Sequence, residues 1–120
     1  MSEYYAMAKS VDELILEAME KRKIIVFDYS GEEEVGYHTR EVEPWCYGVH
    51  KDTGNHVLRA YQIAGYSESG YPSEMPFWRI DRLDRMRNVQ LTERDIRANS
   101  PPHYNPDDSD MSKIFKSLPK

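Results

Sequence analysis

The chain has 120 residues, 39% of them hydrophobic, and sets 16 lysines and arginines against 21 aspartates and glutamates for a formal net charge of −5. That length closes one core but not two, and the acidic balance excludes a protein that coats nucleic acid by bulk charge, so any anionic ligand must be met locally. Cys46 is the only cysteine, which excludes an intrachain disulfide; no apolar run is long enough to span a bilayer and no signal-peptide core follows the first basic residues, so the expected compartment is the cytoplasm.

Ser10 followed by Glu13 is a capping box, and Val11, Leu14, Ile15, Ala18 and Met19 then share one helical face, which predicts a helix from Val11 to Lys21. Lys21, Arg22 and Lys23 complement its C-terminus. The next run, KIIVFDY at residues 23–29, predicts a strand with Ile25, Phe27 and Tyr29 on one side and Ile24, Val26 and Asp28 on the other. Ser30 and Gly31 break it, and the acidic run at residues 32–34, ending at Gly36, reads as a solvated hairpin loop. Residues 37–49 resume an extended run, in which Pro44 cannot donate to a ladder and demands an edge or a bend.

KDTGN at residues 51–55 is a hairpin turn. It leads into a third strand over residues 56–66 and a polar Gly/Pro loop at residues 67–73. Residues 76–91, PFWRIDRLDRMRNVQL, interleave Arg79, Arg82, Arg85 and Arg87 with Phe77, Trp78, Ile80, Leu83, Met86 and Val89. The spacing fits an amphipathic helix, with Asp81 and Arg85 as an i,i+4 pair, as well as a bent strand followed by a short last strand at residues 88–91. In a straight strand Arg79 and Arg85 share a face and Arg82 points away, so convergence of all three needs a bend or bulge. Beyond Arg97 the composition turns to Pro, Asn, Asp and Ser. Residues 100–110 read as an extended strap or disordered tail, with Asp107, Asp108 and Asp110 serving solvation. Met111, Ile114, Phe115 and Leu118 suggest one or two docking turns of helix.

A helix followed by several short strands predicts a mainly β domain: a small, strongly bent antiparallel sheet or barrel. Its division is an N-terminal helical segment (residues 1–22), a β domain (23–97) and a polar C-terminal tail (98–120). Catalysis finds no support. His38, His50, His56 and His103 show no zinc-ligand spacing with Cys46 or one another, and no nucleophile elbow or phosphate-binding glycine loop is present. A non-enzyme without metal or cofactor is expected.

The arginines carry the remaining chemistry. A guanidinium is a planar fork that grips phosphate or carboxylate bidentately, and apolar neighbours hold it still. Arg82 and Arg85 are the leading candidates, weighed against internal pairing with Asp81, Asp84 or Glu43. Arg79 and Arg87 read as rim residues. Tyr29, Tyr61 and His38, with Arg40 and Arg59 on flanking strands, suit a surface where a base stacks on a ring while guanidiniums hold the backbone. Trp45 and Trp78 read as packing.

The order FDY (27–29), HTREVEP (38–44), HVLRAY (56–61) and WRIDRLDRM (78–86), with YNPDDSDMSKIF (104–115) in the tail, resembles the WYL domain in its small stand-alone form over nearly the whole chain. His56, Val57 and Leu58 stand at the triplet that names the family. The resemblance implies an SH3-like or Sm-like barrel closed by the arginine stretch as a bent strand. It also implies a ligand-sensing role toward single-stranded nucleic acid or a nucleotide-like molecule, with Tyr29, His38, Arg40, Arg59, Tyr61, Arg82 and Arg85 facing the ligand. Action alone or as an accessory to a larger effector protein fits this role. The alternatives are a protein-interaction or homodimerising module, suggested by Ile114, Phe115 and Leu118 in a polar tail, and sequestration of a small linear or cyclic nucleotide.

Overall fold

The computed structural model describes residues 8–31, 36–65 and 75–120. The loops expected at residues 32–34 and 67–73 lie outside them. The capping box forms: Ser10 N–H donates to Glu13 Oε1 at 3.0 Å and Glu13 N–H to Ser10 Oγ at 3.1 Å, opening helix α1, Val11–Lys21. The helix closes where Arg22 turns left-handed at φ 55° and its N–H reaches the carbonyls of Ala18 and Met19. No helix among the described residues is long and apolar enough to cross a membrane.

Six strands follow: β1 Lys23–Tyr29, β2 His38–His50, β3 His56–Gly65, β4 Phe77–Arg82, β5 Met86–Asp95 and β6 Met111–Ser117. All pair antiparallel in one sheet of order β4-β3-β2-β1-β5, with β6 also on β2. Helix α1 packs Ile15 and Met19 into a core with Ile25, Val42, Trp45 and Leu58, all fully buried. Its first turn is tied to the sheet through Asp12, which accepts from the Tyr47 hydroxyl and lies 2.6 Å from His56 Nδ1.

The long β2 explains the placement of Pro44. On one side β2 pairs with β3 throughout; on the other it pairs with β1 up to Val42 and with β6 from Cys46 onward. Pro44 falls between the two partners, where its missing N–H costs no ladder bond. Further along, Gly48 lets β6 approach: a Cβ there would collide with the carbonyl oxygen of Lys113.

The C-terminal residues correct two expectations. Residues 111–117 form strand β6, not a turn of helix. A helix of that length is marginal alone, whereas the strand satisfies the backbone of β2 beyond the end of β1. The preceding strap is packed as well. Tyr104 is 2% exposed, its hydroxyl lying 2.8 Å from Trp45 O and 2.7 Å from Leu118 O and sharing its proton between them. Asp108 is buried rather than solvating.

The arginine stretch is neither one helix nor one strand. Strand β4 ends at Arg82, a 3-10 turn occupies Leu83–Arg85, and β5 begins at Met86 and runs to Asp95, longer than the short last strand expected. Because β4 pairs with β3 and β5 with β1, these three residues carry the chain between the two edges of the sheet. Ser30 N–H to Arg85 O at 3.3 Å and Arg82 N–H to Tyr29 Oη at 2.9 Å pin the turn against the end of β1. Among the described residues no ladder joins β4 to β5, so the sheet is bent but not closed into a barrel.

Candidate functional site

Arg79, Arg82 and Arg85 line one cavity of about 340 Å³, together with Tyr29, His50 and Asn55. The backbone resolves the parity problem. In a continuous strand Arg82 and Arg85 would face opposite ways, but Arg82 caps the 3-10 turn and Arg85 ends it, and positions three apart in such a turn eclipse. Strand β4 is also an edge strand, so residues of both parities, Arg79 and Ile80, reach the same cavity.

The facing wall comes from the β2–β3 hairpin. Its turn is held by His50 N–H to Asn55 O at 2.8 Å and Gly54 N–H to His50 O at 2.9 Å. His50 Nδ1 accepts from Asp52 N–H at 3.1 Å, which leaves the proton of a neutral ring on Nε2.

Arg85 and Arg82 are each positioned by a partner. Arg85 Nη1 donates to Ser30 O at 3.1 Å. Arg82 forms a bidentate pair with Asp84, Nε to Oδ1 at 2.9 Å and Nη2 to Oδ2 at 2.6 Å, which holds the Asp84 carboxyl below its ordinary pKa. The Asp84 side chain is 57% exposed, and an exposed pair of this kind contributes about 0–1 kcal/mol. That pair therefore contributes little to the fold. No carboxylate is among the described residues lining the cavity. Tyr29 sits at its inner wall; burial, reinforced by the nearby Asp81 charge, raises its pKa and keeps the hydroxyl protonated.

Directly behind lies a different arginine. Arg40 is fully buried, with Nη1 2.8 Å from Asp81 Oδ1 and its guanidinium 4.2 Å from the Tyr29 ring centroid. This corrects the expectation that Arg40 faces ligand: it is a core ion pair backing Tyr29. Asp81 is thereby accounted for, and Glu43, the third carboxylate weighed against the arginines, accepts instead from Arg97 Nε at 2.9 Å and Trp45 Nε1 at 3.1 Å.

Of the remaining sequence candidates, Arg59 lies away from the corner. It donates to Asp108 at 2.7 and 3.2 Å and to Asp110 at 2.8 Å. Burial alone would raise the pKa of Asp108, but the bonds from Arg59 and the Asp110 N–H outweigh it and hold it below the usual range. Arg59 faces a second cavity of about 250 Å³ under the strap, where its charge is already matched. Tyr61 is 9% exposed, packed between the Trp78 ring at 4.9 Å and the Arg97 guanidinium at 4.7 Å. His38 starts β2 opposite Tyr29 in the ladder and does not line the corner cavity.

The structure thus brings together Tyr29, Arg82 and Arg85, and adds Arg79, His50 and Asn55, which were not among the sequence candidates. The three-residue spacing of the arginines was the available signal for Arg79. Nothing local marks His50 or Asn55, whose place depends on the long-range pairing of β2 with β3. Arg87 is exposed, 3.5 Å over the Tyr37 ring, and takes no part. Among the described residues no group of three His, Cys, Asp or Glu side chains is disposed to hold a metal ion. No family model matches the chain, and no curated protein matches its sequence.

Proposed function

We propose that this chain is a non-enzymatic binding domain that takes single-stranded nucleic acid or a phosphorylated, nucleotide-like ligand at the arginine corner. The observation that carries the reading is the convergence of Arg79, Arg82 and Arg85 on one cavity beside Tyr29 and His50, in a protein of net charge −5. Guanidinium forks supply bidentate phosphate contacts, Tyr29 and His50 supply hydroxyl and imidazole donors, and rim exposure makes Arg82 exchangeable. The three-residue link between opposite sheet edges supports an open variant of the SH3-like or Sm-like barrel that the WYL resemblance implies. A sensor or accessory to a larger effector, working in the cytoplasm without a cofactor, fits such a module.

Fluorescence anisotropy with short labelled single-stranded DNA and RNA tests this. Binding is expected, weakened about tenfold or more by Arg82→Ala, with log K falling against log salt at a slope of about −2 for three phosphate contacts. An affinity indifferent to the substitution overturns the site.

A second reading rests on Phe115, 39% exposed on β6. Among the described residues β6 pairs only with β2, so its free side suits strand addition by a partner chain or a second copy. A monomer by size exclusion with light scattering, unchanged by Phe115→Ser, removes the homodimer form of that reading.

A further inference from the structure

The corner cavity has a neighbour on the same face of the sheet. Directly opposed residues of an antiparallel pair project to one side. Along β3 and β4 the pairs Val57–Arg82, Arg59–Ile80 and Tyr61–Trp78 alternate with Leu58–Asp81 and Ala60–Arg79. Leu58, Ala60 and Asp81 are fully buried on one face, and the first set forms the other, where Val57 and Tyr61 are buried as well but Arg59, Trp78, Ile80 and Arg82 are only partly so. From this face the corner cavity takes Val57, Ile80 and Arg82, and the cavity under the strap takes Arg59 and Trp78. The opposed pair Arg59–Ile80 gives one residue to each. The two cavities are consecutive compartments along one ladder. Trp78 lies four residues from Arg82, about 13 Å along the strand.

Their chemistries differ in a complementary way. In the strap compartment Arg59 faces two carboxylates, Asp108 and Asp110, a balance that repels phosphate but accepts hydrogen bonds from exocyclic amines or sugar hydroxyls. Trp78 is a fixed platform there. Its ring stacks on Tyr104 at 5.7 Å and 18°, leans on Tyr61, and its Nε1–H is held by Pro102 O at 2.7 Å. An indole already immobilised loses little freedom when a base stacks on it.

We infer that Trp78 and the strap form a base subsite adjoining the arginine corner, so that the ligand is an oligonucleotide of at least two nucleotides, with phosphate at Arg79, Arg82 and Arg85 and a base on Trp78. This rests on reading the corner as a phosphate site. Two adjoining compartments whose backbone positions lie that far apart suit a chain of at least two nucleotides. The strap therefore takes part in recognition as well as in packing.

The test uses the intact protein and a ligand series at fixed salt: a nucleoside monophosphate, a trinucleotide, and an abasic trinucleotide of the same charge. The trinucleotide is expected to bind at least about tenfold more tightly than the abasic chain, in keeping with one stacked base. Trp78→Ala is expected to remove that difference, and Trp78→Phe, which keeps a ring against Tyr104, to retain part of it. Equal affinity for the base-bearing and abasic chains overturns the subsite, even if Trp78→Ala fails to fold. So does a loss in Trp78→Phe that falls equally on all three ligands. If no member of the series binds, the phosphate reading of the corner fails and the subsite falls with it.

Discussion

Arg40 and Arg82 stand on either side of Tyr29 and do opposite work. Arg40 lies beneath the ring, fully buried, its guanidinium paired with a carboxylate that is itself buried. Arg82 lies at the rim, its backbone N–H on the Tyr29 hydroxyl and its side chain on an exposed carboxylate. The residue type and the presence of a partner are the same; solvent access differs. Where water is excluded, the pair is part of the fold and removing one member strands a charge. Where water has access, the pair is weak and replaceable, which is what a binding site requires. Arg59 lies between the two cases, half-buried and held by two carboxylates, one buried and one 47% exposed.

The sharpest way to break this comparison is at Arg40. Arg40→Ala leaves Asp81 charged and buried and is expected to destabilise the protein by about 3–5 kcal/mol, measured by urea unfolding. The double change Arg40→Met with Asp81→Leu should recover most of that loss. A loss under about 1 kcal/mol for Arg40→Ala would erase the distinction between the two arginines.

Next in size is Asp108→Asn, which removes the buried carboxylate under Arg59 and should cost about 1–3 kcal/mol at neutral pH. The folded-state pKa of Asp108 is lowered, so its contribution is fully present above the unfolded value of about 3.9 and is lost as pH falls through the lower folded value. The gap in thermal stability between wild type and Asp108→Asn should therefore hold above about pH 5 and close in acid below pH 4. A gap that widens in acid would contradict the assignment.

The smallest effect is at the rim. Asp84→Asn is expected to change stability by less than about 1 kcal/mol and to tighten phosphate-ligand binding by up to about fivefold, because it releases Arg82 from a competing carboxylate. Titration of the variant against wild type with one labelled oligonucleotide checks it.

Local patterns made much of this legible in advance. The capping box and apolar stripe place α1 to the residue, because both signals act within a few positions. KIIVFDY shows its buried side, and KDTGN its turn. The C-terminal strand was hidden because MSKIF has no decisive period of its own; it is extended only because β2 loses its neighbour beyond Val42. The arginine stretch was ambiguous for a related reason. Its helical spacing is real over Leu83–Arg85 and its strand character real on both sides, so no single period describes it. Arg40 was misread because burial of a charge depends on Asp81, 41 residues away. His50 and Asn55 enter the site only through the register of β2 on β3.

The most direct test of the central claim joins two readings on one variant, Arg82→Ala/Arg85→Ala. Its urea midpoint is expected to lie close to that of wild type, while its affinity for a short single-stranded oligonucleotide falls by at least about tenfold. Unchanged affinity with the fold intact would show that the corner does not bind phosphate, and loss of affinity only in step with loss of fold would place Arg82 and Arg85 in the same class as Arg40.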